Sequence, residues 1–535
     1  MQDDYLPGPE DMPATVIAQP VVYRILAHAE TSPDALALVA TASAGVEVSR
    51  SYGALRADIL RFADGLRRRG VAQGDRIGIF ADNENACQAI VAILAANLLG
   101  AVFVPLNARY TARELLDAAR RAACSVILAA DRLAPTVNRI RGDLPALREI
   151  ILMENGNGAA DFKSILDLGA PDAQGWPQLA PDDISEIMFT SGTTAAPKAA
   201  IVTHGRTAAA AHIYRTMLDL RPDDRLQSFF PIFTTASTKC VILPILSAGG
   251  AAIIDAGMSI PDSLARMKTY GSTIYYGVPA FYIFLLEHMR IQPERPSALR
   301  LFIYGGAAMP LTPIRQLAEF FPEVGLAQTF GSTETGATGT ILYPRYTLSR
   351  MGSVGRAGPY TAVKLVADDG TEVADGVQGE FAVRSAAVFA GYLDDPATSR
   401  ATLKDGWVLM GDIGYRDADG FFYHTDRKKD IIIRGGHNIG SMEVEDVIYK
   451  FPDIEEAAAI AVPHPKLGED VFVFVVMKEG RTLDASALLT YCRDMLADYK
   501  VPRHIVAIPS MPRNPMGKIL KTELRVTARE LLGLE

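Results

Sequence analysis

Helical and strand patterns alternate along the chain, and this order restricts the fold more than any other feature of the sequence. Apolar residues at helical spacing predict a helix over residues 55–69, which Gly70 ends. The elements that follow are predicted in the order strand 76–80, helix 86–99, strand 101–104, helix 112–123 and strand 125–129, with later strands at 251–254, 273–276 and 301–304. This order is typical of an α/β protein with parallel-type sheets flanked by helices.

A different pattern begins after the charged run 426–430. Helices at 444–449 and 485–497 and strands at 457–462 and 471–477 predict a small α+β domain there. The chain has 535 residues, whereas one hydrophobic core stops growing at roughly 250–300 residues, so at least two domains are expected. The predicted organisation is a large N-terminal domain over 1–425, a hinge at 426–430 and a small C-terminal domain over 431–535.

Composition excludes several classes of protein. The formal net charge of −9 argues against a nucleic-acid partner, because non-specific binding needs clustered basic charge. Residues 1–10 lack the basic start and apolar run of a signal peptide, so a cytoplasmic protein is expected. The uncharged stretch 86–106 is interrupted by Gln88, Asn97 and Gly100, which favours a buried helix and strand over a membrane span. The cysteines lie too far apart to predict a zinc site or a redox pair: Cys87, Cys124, Cys240 and Cys492.

One segment, 190–198, combines several phosphate-binding residue types. Its hydroxyls, glycine and lysine are Thr190, Ser191, Thr193, Thr194, Gly192 and Lys198. Such a loop can present N–H and O–H donors to phosphate oxygens, with the lysine as a cation. It is not the Walker A pattern, because Gly-Lys-Ser/Thr is absent.

The order of residues in this segment resembles the signature of the adenylate-forming superfamily, which contains acyl-CoA synthetases, carrier-loading adenylation domains and beetle luciferases. The resemblance covers nearly the whole chain and implies that the loop holds the β- and γ-phosphates of ATP. Two glycines that are usual in the family are replaced by Ala195 and Ala199. Because alanine resists backbone angles that glycine permits, these replacements are expected to stiffen the loop.

The segment 328–334 resembles the family's aromatic-Gly-x-Thr-Glu element. The resemblance implies that Phe330 stacks on adenine, Thr333 contacts the α-phosphate and Glu334 binds Mg²⁺, for which a carboxylate is a suitable hard ligand. Further nucleotide contacts are expected from Thr329, Gly331, Ser332, Gly306 and Ala307. The acyl pocket is expected to include Phe233, Thr234, Tyr276 and Gly305, although Thr234 stands where a histidine or aromatic residue is common.

Three later segments complete the resemblance. Asp412 and Arg427 match the residues that hold the ribose hydroxyls, and Lys429 falls at the hinge position, where a single residue can absorb a domain rotation. Gly435 and Gly436 match the segment that lies along the pantetheine arm of CoA; Ser441, just beyond, replaces a common proline.

Lys518 matches the catalytic lysine of the family. A cation is needed there because the attacking carboxylate and the α-phosphate are both anionic. Lys239, in an otherwise apolar segment, is expected to extend to solvent or pair with an acid, with a polar substrate group as the alternative.

These motifs predict an acyl-CoA synthetase that uses ATP, Mg²⁺ and CoA and forms an acyl-AMP intermediate. One alternative is an enzyme that only adenylates, or that passes the acyl group to a separate carrier protein. The non-enzyme alternative is a degenerate nucleotide-binding protein. The small-molecule acid is left open among fatty, aromatic and polycyclic types, and a homodimer is neither predicted nor excluded.

Overall fold

The predicted alternation of helices and strands is present in the computed structural model, which describes residues 6–43, 46–154, 160–190, 197–293, 295–307, 309–513 and 519–534. The chain forms two units, Met1–Val363 with Val383–Val408 and Lys364–Ala382 with Leu409–Glu535. The second unit is larger than the predicted C-terminal domain because residues before 426 bond to one another within it. Glu380, for example, accepts the N–H of Gly411 at 3.0 Å and the ammonium of Lys428 at 3.0 Å. The predicted domain limits and the predicted hinge at 426–430 stay predictions.

The strands of the described residues, in chain order, are β1 (Leu36–Ser43), β2 (Val46–Ser51), β3 (Arg76–Ala81), β4 (Val102–Asn107), β5 (Val126–Ala129), β6 (Glu149–Leu152), β7 (Ile184–Thr190), β8 (Lys198–Thr203), β9 (Arg225–Ser228), β10 (Ala251–Ile254), β11 (Ile274–Gly277), β12 (Leu301–Gly305), β13 (Gly325–Gly331), β14 (Gly339–Leu342), β15 (Arg356–Ala357), β16 (Thr361–Val366), β17 (Gly379–Ser385), β18 (Gly391–Tyr392), β19 (Leu403–Lys404), β20 (Trp407–Arg416), β21 (Phe422–Arg427), β22 (Ile432–Arg434), β23 (His437–Ile439), β24 (Ile454–His464), β25 (Gly468–Met477) and β26 (His504–Ala507).

The α-helices are α1 (Ala14–Ile17), α2 (Val21–Thr31), α3 (Tyr52–Arg68), α4 (Ala86–Leu99), α5 (Ala112–Arg121), α6 (Ala134–Ile140), α7 (Phe162–Leu168), α8 (His204–Met217), α9 (Leu243–Ala248), α10 (Ile260–Tyr270), α11 (Pro279–Ile291), α12 (Leu311–Phe320), α13 (Pro344–Thr347), α14 (Pro396–Thr402), α15 (Ser441–Ile448), α16 (Ala485–Met495) and α17 (Lys521–Leu532). A π-helical segment covers Ala236–Ile242.

The first unit contains two large sheets with parallel centres. One has the strand order β15-β14-β13-β12-β11-β9-β10-β1-β2, in which the six strands from β13 to β1 run parallel. The other has the order β18-β8-β7-β4-β3-β5-β6, in which β7 to β6 are parallel. Antiparallel strands form both edges of the first sheet and one edge of the second, whose other edge is the parallel strand β6. The predicted parallel-type sheets are thus confirmed, and the predicted strands match the observed ones to within a few residues.

The predicted buried helix at 86–99 is α4, with the same limits. Almost all of its side chains are buried, including Asn97, so its uncharged sequence reflects burial inside the protein. Across the described ranges, no helix is both long and apolar enough to cross a membrane.

The second unit contains smaller, mainly antiparallel sheets. Its sheet of order β23-β22-β25-β24 has β26 parallel to β25, and α15 and α16 pack on its apolar core. This arrangement confirms the predicted small α+β region. The antiparallel pair β20 and β21 carries the predicted ribose contacts.

Candidate active site

The carboxyl ends of β11, β12 and β13 lie side by side, which is where open parallel sheets usually bind ligands. The hydroxyl of Tyr276, at the end of β11, bonds to Thr329 Oγ1 on β13. Gly305 ends β12 between them; a Cβ there would lie 2.9 Å from the carbonyl oxygen of Thr329, too close for any side chain. Burial raises the pKa of Tyr276, so this phenol stays neutral. The strand ends therefore form a rigid wall.

Several predicted nucleotide contacts border this wall. Gly306 and Ala307 follow β12 and are exposed, while Phe330 and Gly331 end β13 with the Phe330 side chain partly buried. The next residue, Ser332, has a buried hydroxyl with no partner among the described residues. A buried hydroxyl is costly to leave unbonded, so a ligand group at this position would be stabilising.

Glu334 is linked to Lys198 through a residue that the motifs did not include. The hydroxyl of Tyr392, on β18, donates to Glu334 Oε1 at 2.7 Å. The Lys198 ammonium lies 5.1 Å from the centre of the Tyr392 ring, within the range of a cation–π contact. Burial and the neighbouring carboxylate raise the pKa of Tyr392, which keeps its proton on the donor side of this bond. The phenol thus joins the predicted metal ligand to the predicted phosphate lysine.

The predicted phosphate loop joins two antiparallel strands, since Thr190 ends β7 and pairs with Lys198 at the start of β8. Ser191, Gly192, Thr193, Thr194 and Ala195 lie outside the described residues. Ala199 is already inside β8, with its side chain 1% exposed in the core. Its replacement of glycine therefore lies within the strand, and the expectation that the two replacements stiffen the loop stays a prediction.

The residues present fit a magnesium ion that is shared with a nucleotide. Glu334 uses Oε1 for Tyr392, and no group in the described part of the chain donates to Oε2. The described residues contain no cluster of three or more acidic, histidine or cysteine side chains that could hold a metal by themselves. Mg²⁺ often binds through one or two carboxylates together with substrate phosphates, so one free carboxylate oxygen is sufficient. When bound, such an ion would neutralise phosphate charge.

We expect Glu334→Gln to raise the Mg²⁺ concentration needed for half-maximal activity by on the order of tenfold or more, because the amide is neutral but can still accept from Tyr392. A magnesium titration of acyl-AMP formation measures this shift. Glu323→Gln, at an exposed position, serves as the charge-matched control. An unchanged titration in the Glu334 variant would contradict the metal assignment.

The segment predicted to line the acyl passage is held by local bonds. Phe233 is partly buried, and the Thr234 hydroxyl donates to the carbonyl of Pro231 at 2.7 Å and accepts from the N–H of Ser237 at 3.3 Å. Thr234 therefore closes a turn here. Lys239 is fully buried and paired with Glu186, which confirms the expected acid partner and rules out extension to solvent.

In the second unit, the two predicted ribose contacts lie together. Asp412 on β20 and Arg427 on β21 are paired across the strands, and Nε of the arginine is 2.8 Å from Oδ1 of the aspartate. His424 also reaches this oxygen, with its Nε2 at 3.0 Å. The other oxygen, Oδ2, is buried and has no partner among the described residues. A hydroxyl donor from a ligand would satisfy it.

The predicted hinge lies in a turn directly after β21. The N–H of Asp430 donates to the carbonyl of Arg427 at 2.8 Å, so Lys429 is the third residue of this turn. Arg525 on α17 contacts both the Lys429 carbonyl, at 3.2 Å, and the Asp430 carboxylate, at 2.5 Å. The C-terminal helix is therefore attached to the turn.

The predicted CoA glycines form the two-residue loop between β22 and β23. Gly435 and Gly436 have φ of 59° and 86°, values that hairpin loops of this kind require and that favour glycine. The pair therefore has a structural cause that does not depend on CoA. Lys518 lies outside the described residues.

Ser441, the replacement for proline, makes two bonds that proline could not. Its N–H donates to the buried Asp426 carboxylate, and its hydroxyl accepts from Lys521 at 2.5 Å. Lys521 also pairs with Glu445 at 2.7 Å. Proline has neither the N–H nor the hydroxyl, so this departure creates a bond between residues on the two sides of Lys429.

Comparisons with known proteins show which sequences and structures this chain is similar to. The sequence profile of the family described as AMP-binding enzyme matches residues 25–393, and that of the AMP-binding enzyme C-terminal domain matches residues 443–518. The chain is 33% identical to a feruloyl-CoA synthase from Amycolatopsis sp over 479 residues, which cover 89% of this chain and 93% of that protein. It is 31% identical to an indoleacetate–CoA ligase from Aromatoleum aromaticum over 475 residues, with coverage of 89% and 92%.

A solved structure is also similar over nearly the whole length. The crystal structure of ATP-bound MatB from Rhodopseudomonas palustris matches with a TM-score of 0.86 and 28% sequence identity. The match covers 96% of this chain and 99% of that chain. The similarity therefore extends over both units.

Proposed function

The chain belongs to the AMP-binding enzyme family, and from this premise we propose that it joins a carboxylic acid to CoA at the expense of ATP. In the first step a carboxylate oxygen bonds to the α-phosphorus, and the bond from that phosphorus to the pyrophosphate oxygen breaks. In the second step the CoA sulfur bonds to the acyl carbon and AMP leaves. The family match and the linked pair Glu334–Tyr392 support this assignment.

We assign a nucleotide contact to each of the predicted site residues from its chemistry. Lys198 and the segment after Thr190 would hold the outer phosphates of ATP. Thr333 would donate a hydrogen bond to the α-phosphate, and the free carboxylate oxygen of Glu334 would bind Mg²⁺. Asp412, with its unpartnered buried oxygen, would accept from a ribose hydroxyl. Lys198 and Thr333 supply the positive charge and the hydrogen-bond donor that suit phosphate oxygens, whereas the carboxylate of Asp412 supplies an acceptor.

For the second step, we assign the CoA contacts to the hairpin loop of Gly435 and Gly436. Two adjacent glycines expose backbone without side chains, so a pantetheine arm could lie directly against them. The same loop geometry is needed by the hairpin itself, so substitutions here would have to be compared for stability as well as for thioester formation.

We further propose that the acid carries an aromatic ring. Tyr276 meets the ring of Phe230 edge to face, with centroids 5.1 Å apart, and its hydroxyl is fixed by Thr329. A flat ring packs well against such aromatic edges, whereas a long flexible chain would need room beyond this wall. Ferulate and indoleacetate, named for two relatives, are acids of this kind.

Pyrophosphate release from a panel of acids, assayed with and without CoA, tests both proposals. We expect the largest kcat/KM for aromatic acids such as ferulate and indoleacetate, smaller values for long-chain fatty and polycyclic acids, and acyl-CoA in every reaction that contains CoA. A preference for long-chain acids would overturn the aromatic assignment. Acyl-AMP that CoA never consumes would favour an enzyme that only adenylates or one that serves a carrier protein.

A further inference from the structure

The sequence motifs assign no role to Thr235, yet its hydroxyl meets that of Thr333. The two Oγ1 atoms are 3.0 Å apart. Within the described ranges, Thr235 is the side chain that bonds to Thr333 Oγ1. A group that fixes this hydroxyl acts on the donor assigned to the α-phosphate.

An unusual stretch of backbone begins directly after Thr235. Residues Ala236–Ile242 are π-helical, a form that is rare in proteins and occurs often at functional sites. All of its residues from Ser237 onwards are buried. Because this geometry is less favourable than an α-helix, it depends on tertiary contacts for support.

The support comes from a buried charged cluster centred on Lys239. Its ammonium pairs with Glu186 and donates to Thr207 Oγ1 at 2.7 Å. The two charged side chains are 1% and 0% exposed. Burial lowers the pKa of Lys239, and the Glu186 carboxylate opposes this by stabilising the charged form. Loss of either partner would leave the other charge buried alone, so the pair holds the π-helical segment firmly in place.

The same pair connects two parts of the proposed site. Glu186 is on β7, the strand that ends at Thr190, and Lys239 is in the segment that begins after Thr235. The Lys239–Glu186 pair therefore connects the strand before the phosphate loop to the segment that follows Thr235.

We propose that Thr235 is a positioning residue that orients the Thr333 hydroxyl during acyl-AMP formation, an inference that rests on the proposed function. A threonine hydroxyl can donate one hydrogen bond and accept two. When Thr235 donates to Thr333, Thr333 keeps its own proton for an anionic phosphate oxygen. The bond also fixes the side-chain torsion of Thr333, so its donor is aligned before the transition state forms.

Thr235→Val keeps the shape of the side chain and removes the donor. We expect kcat for acyl-AMP formation to fall about tenfold, equivalent to about 1.4 kcal/mol, while KM for ATP changes by less than about twofold. Thr235→Ser restores the hydroxyl and should restore kcat. In a double-mutant cycle with Thr333→Val, the two losses should not add, because both remove the same aligned donor. Single-turnover acyl-AMP formation, corrected for the active fraction, is the measurement.

Thr238→Val is the matched control, because the Thr238 hydroxyl bonds to the backbone of its own segment, at Thr234 and Thr235. It removes a buried hydroxyl from the same segment without a contact to Thr333. Wild-type kcat in Thr235→Val, or an equal loss in Thr238→Val, would overturn the positioning role. If valine unfolds the protein, Thr235→Ala is compared with Thr235→Ser in the same assay. Wild-type protein that makes no acyl-AMP from any acid of the panel would instead overturn the proposed function, and this inference with it.

Discussion

Replacement of Lys518 by alanine is expected to lower the rate of acyl-AMP formation by about 10²–10³-fold, with ATP affinity within about twofold of wild type. The acid and the α-phosphate are both anionic, so the attack brings like charges together. A lysine between them offsets the repulsion most strongly in the transition state, where charge is concentrated at the phosphorus. The nucleotide contacts assigned to Lys198, Glu334 and Asp412 are unchanged, so binding of ATP should persist.

Acid-dependent exchange between ATP and labelled pyrophosphate measures this loss, and calorimetry with a non-hydrolysable ATP analogue measures binding. Lys466→Ala, at an exposed lysine, is the matched control. Synthetic acyl-AMP supplied with CoA bypasses the first step, and the variant should convert it to acyl-CoA. Exchange at close to the wild-type rate in the Lys518 variant would show that another group supplies the cation.

The fold could be predicted to a large extent because its determinants are local. A buried parallel strand needs a short apolar run, and a covering helix needs apolar residues at helical spacing, so β3, α4, β4 and α5 follow from the sequence. The limits of the second unit could not be predicted in this way. They depend on contacts such as that between Lys428 and Asp368, whose partners are far apart in sequence and carry no periodic pattern.

The site was predictable only where its residues lie in compact motifs. Asp412 and Arg427 belong to such motifs, and the structure places their side chains together; their roles toward a nucleotide stay predictions. Tyr392 was missed because it reaches Glu334 from 58 residues away, and Thr235 because it reaches Thr333 from 98 residues away. Their side chains carry no distinguishing chemistry until tertiary packing brings them to a motif.

Lys239 illustrates an intermediate case. A charge inside an apolar segment predicts either extension of the side chain to solvent or a partner of opposite charge, since an isolated charge is very costly to bury. The partner itself, Glu186, is on β7, far from Lys239 in sequence, and could not be identified from spacing. The sequence therefore offered an acid partner as one of two expectations, and the structure decided between them, located the partner and showed its link to Thr235.

Lys429→Pro is expected to slow consumption of acyl-AMP by CoA by about 10²-fold while acyl-AMP formation changes by less than about threefold. The proposed cycle needs two orientations of the C-terminal domain, because Lys518 and the Gly435–Gly436 loop are far apart in sequence and are assigned to different steps. Proline fixes φ near −65° and so restricts rotation at this residue. Adenylation needs only one orientation and should be retained.

The bonds around the turn indicate what such a rotation must change. Asp426 accepts the N–H of Ser441, and these residues lie on opposite sides of Lys429, so a rotation about Lys429 has to break or rearrange this bond. Lys429→Ala keeps backbone freedom and the Arg525 contact to the carbonyl, and is therefore the control that separates the side chain from φ. Single-turnover formation of acyl-AMP, followed by addition of CoA, resolves the two steps. Equal consumption by CoA in the wild type and the proline variant would mean that the rotation occurs elsewhere in the chain.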